Sequence, residues 1–241
     1  MEQKTHTSRQ YEKELQDVKQ RLIYLGALTE KAIKEATDAL FERDSVRARS
    51  VIDGDEVINH LDEEIEKECI RLLALRQPAA RDLRFITTAI KINGHLERIA
   101  DIAVTISRKV LDLNEEPRLK PYIDLPRMAE TSRKMIRESL DALVKENESQ
   151  AKWVLREDEV VDRLNEQIFR ELLTFIMEDP RTTHRALLIM QVSKNLERIS
   201  DHATSIAKNV IYMVTGKNVR HGMFDCGSYD VFGESLEKKD G

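Results

Sequence analysis

The amino-acid sequence predicts an all-α protein built from two tandem antiparallel three-helix bundles that are related by pseudo-two-fold symmetry. Of its 241 residues, 34% are charged and only 5% are aromatic, which is typical of long amphipathic helices with aliphatic seams. The segment KNLERISDHA at 194–203 nearly repeats the segment GHLERIADIA at 94–103. A helical unit that occurs twice buries its apolar faces most simply by forming two similar bundles that pack together.

The five prolines divide the chain into predicted helices and connections. Three of them fall in DLNEEPRLKPYIDLP and mark a linker, whereas Pro78 and Pro180 stand alone between apolar-periodic runs and mark turns between helices. The predicted helices lie near 9–43, 46–76 and 78–112 in the first half and near 125–147, 149–178 and 180–214 in the second half. The predicted domains are a first bundle at 1–113, a linker at 114–124, a second bundle at 125–215 and a flexible tail at 216–241.

Apolar residues on the third helix of each half follow a spacing of three and four, which predicts a buried seam. The seam residues are Ile92, Leu96, Ile99, Ala103, Ile106 and Val110 in the first half and Val192, Leu196, Ile199, Ala203, Ile206 and Val210 in the second. Because successive helical residues are about 100° apart, Glu97 and Asp101 lie about 140° and about 180° from the centre of the seam. This E-x-x-x-D pair therefore faces away from the core of its own bundle.

Acidic pairs spaced four residues apart recur in both halves. Two carboxylates on one helix face repel each other unless a cation neutralises them. Oxygen ligands from neighbouring helices suit hard ions such as Mg, Mn or iron, and zinc is tolerated. In a chain with 44 acidic residues, plain solvated helix faces are the competing interpretation, and the residues alone leave it open. The pairs are Glu97/Asp101 and Glu197/Asp201 on the third helices, and Asp55/Asn59 and Asp158/Asp162 on the second helices.

Composition and motifs exclude several classes of function. A formal charge of -5 and a pI near 5.8 give no general basic field for nucleic acid. Cys69 and Cys226 have no C-x-x-C spacing, so we expect a reducing cytoplasm and neither a disulfide framework nor a thiolate zinc site. No nucleophile or phosphate-loop motif is present, and no histidine follows a glutamate by three residues, as a ferritin-like di-iron enzyme needs. Since no apolar run approaches about 18 residues, we expect a soluble, non-enzymatic protein that meets membranes only through partners.

Several motifs together resemble those of the PhoU family of phosphate-uptake regulators. They are the two E-R-I-x-D pairs, ERISDHATSIAKNV, LRQPAARDLR and DEVINHLDEEI, and the resemblance runs from roughly residue 25 to residue 215. It implies two three-helix bundles that hold metal ions or multinuclear clusters at E(D)-x-x-x-D pairs. Asn59 replaces a charge that Asp162 keeps, so the first site is expected to be weaker or differently filled. The implied ligands are Asp55, Asn59, Glu97 and Asp101 in the first half and Asp158, Asp162, Glu197 and Asp201 in the second half.

The resemblance also implies a function. It is that of a negative regulator of phosphate uptake and phosphate-starvation signalling, which docks on the cytoplasmic subunits of a phosphate ABC transporter and on a sensor histidine kinase. The implied metal is iron, zinc, Mn or Mg, and His202 is interpreted as a bundle-surface or helix-contact residue rather than a ligand. An apolar stripe from Leu15 to Leu40 on the first helix extends beyond a bundle contact of about 20 residues, so we expect a homodimer. A metal-free helical scaffold or adaptor is the alternative function.

Overall fold

The computed structural model describes residues 2–78, 80–217 and 219, and the regular elements of this part of the chain are helices. The all-α prediction is therefore confirmed, while most of the tail predicted for 216–241 lies outside the described residues. The first half contains α1 (Glu2–Glu42), α2 (Ser45–Asp53), α3 (Asp55–Arg76) and α4 (Ala80–Asn114). The second half contains α5 (Asp124–Lys145), α6 (Glu148–Glu178), a 3-10 turn (Pro180–Thr182) and α7 (Thr183–Thr215).

Polar side chains set the starts of two helices that follow short connections. The Asp44 carboxylate accepts hydrogen bonds from two backbone N–H groups in the first turn of α2, both at 2.9 Å. The Asn147 side chain accepts one from the Gln150 N–H at 3.2 Å at the start of α6. The first N–H groups of a helix have no partner within the helix, so these side chains stabilise each start by about 1 kcal/mol.

The prediction of a single helix at 46–76 is wrong in one respect, because the helix is interrupted at Gly54. The Gly54 N–H donates to the Ser50 carbonyl at 3.0 Å, whereas the Gly54 carbonyl accepts from Val57, only three residues on, at 3.3 Å. The chain therefore tightens for one turn between α2 and α3. A Cβ atom at this position would lie 3.1 Å from the Ser50 oxygen, closer than ordinary contact. In the second half Glu157 takes the equivalent position, and α6 is continuous.

The helices form two layers. One layer has the order α3, α4, α7, α6, and the other consists of α1 and α5, which pack against each other and against the first layer. The predicted seams of α4 and α7 are confirmed, since Leu96, Ile99, Leu196 and Ile199 are fully buried. Within the residues described, none of these helices has the length and apolar character needed to cross a membrane.

The two halves meet chiefly along α4 and α7, which run antiparallel. Arg84 Nε donates to the Met213 carbonyl at 3.2 Å, and the Nδ1 atoms of His95 and His202 lie 3.1 Å apart. The two contacts are eleven residues apart on each helix, with residue numbers that increase along α4 while they decrease along α7. This is the register of antiparallel helices. The interpretation of His202 as a helix-contact residue is thereby confirmed.

The connection between the halves is tied to both of them. Arg43, whose φ of 61° is in the left-handed region, donates from Nη2 to the carbonyls of residues 113, 114 and 116 at 3.2, 2.9 and 2.5 Å. These bonds satisfy carbonyls at and beyond the end of α4. Lys120, which is buried, forms an ion pair with α6. The segment that separates the halves in sequence therefore belongs to the folded structure.

Candidate functional site

The carboxylates that the sequence singles out lie in two grooves of the four-helix layer, one between α3 and α4 and the other between α6 and α7. In each half the glutamate of the E-x-x-x-D pair is half-buried and the aspartate is exposed. Charges on the two facing helices influence each other's pKa values in both grooves, so the predicted residues do come together in space. We call them the first cluster (Asp55, Asn59, Glu97 and Asp101) and the second cluster (Asp158, Asp162, Glu197 and Asp201).

In the first cluster, burial and like charges work in the same direction. Burial raises the pKa of Asp55, and the Asp101 charge adds to this effect. A hydrogen bond from Asn59 Nδ2 to Asp55 Oδ2 at 3.1 Å opposes it. Burial also raises the pKa of Glu97, followed by the charge of Asp101. These shifts mean that the charged cluster is less stable than the same carboxylates would be in water, so a cation bound there is favoured.

The structure adds Asp62 to the first cluster, a residue that the sequence interpretation missed. Burial raises its pKa, and its charge in turn raises the pKa of Glu97. Asn93 Nδ2 holds Asp62 in place by donating to its Oδ1 at 2.6 Å and to its backbone carbonyl at 2.9 Å. With Asp62 included, the first cluster has four carboxylates, as many as the second, and the expectation that the first site is weaker or differently filled stays a prediction.

The repeat itself contained the signal for Asp62. In the aligned segments DEVINHLDEEI and DEVVDRLNEQI, Asp62 corresponds to Asn165, and Asn59 corresponds to Asp162. Aspartate and asparagine have exchanged places between two positions three residues apart, which share one helix face. Asn165 accepts from the Ser193 hydroxyl at 2.6 Å, at the same place in the second groove. Each half therefore keeps two aspartates and one asparagine on its outer helix.

The second cluster carries the largest shift. Burial, followed by the neighbouring Asp162 charge, raises the pKa of Asp158 to about 6, while Ser200 and a lysine oppose the change. Burial and then the Glu197 charge raise the pKa of both Asp162 and Asp201. Close to neutral pH, part of the Asp158 population therefore holds a proton that a metal ion could displace.

Two oxygens test whether the residues fit a metal ion. Asp55 Oδ1 and Asp158 Oδ1 are buried and make no hydrogen bond, and buried carboxylate oxygens without partners are costly. Their donor chemistry fits a hard cation. In the arrangement that the described residues adopt, however, no three acidic, histidine or cysteine side chains converge on one ion position. An ion held by three oxygens therefore requires side chains of each cluster to adopt other staggered rotamers.

The fold and the clusters define a class of protein: a duplicated helical-bundle protein that carries one carboxylate cluster in each half. A family model described as "PhoU domain" matches this chain twice, at residues 22–110 and 125–210. The chain belongs to the PhoU family.

Named relatives and solved structures agree with this assignment. The chain is 42% identical over 217 residues to a "Phosphate-specific transport system accessory protein PhoU homolog" of Pseudomonas aeruginosa, covering 90% of each chain. A relative of the same description from Aquifex aeolicus is 40% identical over 209 residues, which cover 87% of this chain and 95% of the relative. The crystal structure of PhoU from Pseudomonas aeruginosa superposes with a TM-score of 0.83 at 40% identity, covering 86% of this chain and 100% of that one. The phosphate transport system regulatory protein PhoU from Streptococcus pneumoniae superposes with a TM-score of 0.80 at 27% identity, covering 87% of this chain and 99% of that one.

Proposed function

We propose that this protein is a negative regulator of phosphate uptake and phosphate-starvation signalling. It acts in the cytoplasm as a homodimer by docking on the cytoplasmic subunits of a phosphate ABC transporter and on a sensor histidine kinase. Its relatives are named as accessory proteins of phosphate-specific transport systems, which supports the link to transport. In this proposal each carboxylate cluster holds iron, zinc, Mn or Mg.

The single observation that carries the metal proposal is the pair of carboxylate clusters, in which half-buried Asp55 and Asp158 each have one buried oxygen without a hydrogen-bond partner. A bound cation would neutralise carboxylates that otherwise raise one another's pKa values. It would also join two helices of one half that meet at like charges. Asp55 on α3 with Glu97 and Asp101 on α4 would hold the ion in the first half.

An apolar groove beside the second cluster supports the docking proposal. Phe169 and Leu187 line it together with Asp162 and Glu197, so the groove and the cluster share residues. Phe169 is 49% exposed and Leu187 is 47% exposed, and Met177, two turns further along α6, is 77% exposed. Exposed apolar side chains that lie close together are typical of surfaces that bind other proteins. An ion that draws α6 and α7 together would change the shape of this groove.

Cells that lack the chromosomal copy of this protein test the proposal. With abundant phosphate, they should continue to express phosphate-starvation genes and to take up phosphate without restraint. The parent protein should restore both responses, whereas the variant Glu197→Gln with Asp201→Asn should bind less metal and restore less. The matched control, Glu12→Gln with Asp17→Asn on exposed positions of α1, removes two charges without touching either cluster and should behave like the parent.

Each arm of this experiment has an outcome against the proposal. Normal repression and normal uptake in the deletion strain contradict the regulatory function. Equal metal content in the cluster variant and the parent, at equal helicity, contradicts the metal sites. A cluster variant that binds no metal yet restores regulation fully favours the metal-free helical scaffold, because the carboxylates would then have no part in regulation.

A further inference from the structure

A cluster of basic side chains lies where α4 and α7 meet. His95 and His202 form its floor, with Nδ1 atoms 3.1 Å apart and ring centroids 5.3 Å apart. Both rings are half-buried between the helices. A hydrogen bond between two Nδ1 atoms needs one donor and one acceptor, so the neutral pair shares a single hydrogen between the rings.

Two arginines form the rim of the same cluster. His95 lies opposite His202 on the antiparallel helices, so residues slightly further along α4 lie opposite residues slightly earlier on α7. Arg98 and Arg198 occupy the same position of the repeat, and this register brings both of them close to the pseudo-two-fold axis. Both side chains are exposed, and neither has a carboxylate within ion-pair distance among the residues that the structure describes. Both guanidinium groups act on the same ring, since each lowers the pKa of His202.

Two positive charges that lie close together across the axis favour the binding of an anion. We propose that Arg98, Arg198 and the His95–His202 pair form a binding site for a doubly charged oxyanion, and that this anion is inorganic phosphate. Guanidinium groups present paired N–H donors that match the oxygens of phosphate, and each such charge-assisted contact is strong. A metal cation at the two imidazoles is disfavoured, because it would lie beside two permanent positive charges.

The site itself rests on the charges and the register, whereas the choice of phosphate as the anion rests on the proposed function. Arg98 also lies close enough to Glu97 to oppose the rise in the pKa of that carboxyl, which places the anion site next to the first carboxylate cluster. Metal bound at the carboxylates could itself bind phosphate. The experiment therefore uses the full chain after treatment with chelator.

Titration of metal-free protein with inorganic phosphate at pH 7, followed by NMR of the imidazole C–H resonances, tests the inference. We expect saturable shifts of His95 and His202 with a dissociation constant of about 1 mM or tighter. In the variant Arg98→Gln with Arg198→Gln, the affinity should fall at least about tenfold. The variant His202→Gln should still bind phosphate, but more weakly.

The matched control is Arg127→Gln with Arg163→Gln, which removes two exposed arginines from α5 and α6 and changes the net charge equally. It should bind phosphate like the parent. The inference is overturned by the absence of saturable shifts, by equal loss of affinity in both double variants, or by displacement of phosphate by chloride at constant ionic strength. If the protein restrains phosphate uptake but does not bind phosphate, only the anion site is contradicted. If it binds phosphate but cells that lack it have no phenotype, only the proposed function is contradicted.

Discussion

Replacing Asp158 with asparagine should stabilise the metal-free protein at pH 7. Burial and then the Asp162 charge raise the pKa of Asp158 from its ordinary value of 3.8 to about 6. Two pKa units correspond to about 3 kcal/mol of unfolding free energy. Because solvent reaches part of the side chain, we expect about half of this, about 1.5 kcal/mol. For a chain of this size, that raises the unfolding temperature by about 3 to 6 °C.

The stability gained by Asp158→Asn over the parent should increase as the pH rises. The folded chain holds the Asp158 proton more tightly than the unfolded chain does, so the parent loses stability as the pH rises from about 4 to about 6. The asparagine variant lacks this loss. The difference in stability between variant and parent should therefore be fully present near pH 7 and absent below about pH 4. Thermal unfolding followed by far-UV circular dichroism in the presence of chelator measures it.

The control for this experiment is Glu159→Gln, on the next residue of α6, which is exposed. Its stability should differ from that of the parent by less than about 0.5 kcal/mol. If Asp158→Asn is no more stable than the parent at pH 7, or if its advantage persists at pH 4, the carboxylate is not strained by burial and like charge. The argument for a cation in the second cluster would then lose its electrostatic support.

Three further substitutions test the packing and the first cluster. In Gly26→Ala, the new Cβ would lie 2.1 Å from Leu140 Cδ1 across the α1–α5 contact, so chemical denaturation should show a loss of about 1 to 3 kcal/mol. Gly94→Ala meets no atom within 4 Å and should instead stabilise its helix by up to about 1 kcal/mol; a loss there would contradict the open space beside α4. Asn59→Asp replaces the amide donor to Asp55 with a further negative charge, so it should destabilise the metal-free protein and raise the metal affinity of the first cluster in a metal titration. Unchanged affinity would exclude this position from the site.

Most of the fold could be predicted because it depends on local patterns. The spacing of apolar residues around Leu96 and Leu196 requires one helix face to be buried, and the repeat requires the second half to fold like the first. The break at Gly54 was missed because the apolar pattern continues across it. The glycine fills a place where a side chain would crowd the Ser50 carbonyl, and that crowding exists only once the turn has formed.

The candidate site was predictable in part. The E-x-x-x-D spacing placed Glu97 and Asp101 on the outer face of their helix, and the motifs identified the family. Asp62 was missed because it lies outside the four-residue spacing of the Asp55/Asn59 pair and because its counterpart in the second half is an asparagine, Asn165. Which of these residues ligate metal stays a prediction.

What the sequence by itself determined is the set of helices, their buried faces, the duplication and the family. These follow from the order of residues along the chain, since a helix places every third or fourth residue on one face. Only the tertiary structure decided that half-buried Asp158 lies close to like charges, and that His95 contacts His202 beside two arginines. A pKa and a local field depend on burial and on neighbours from distant segments, and those are established only when the two halves pack along α4 and α7.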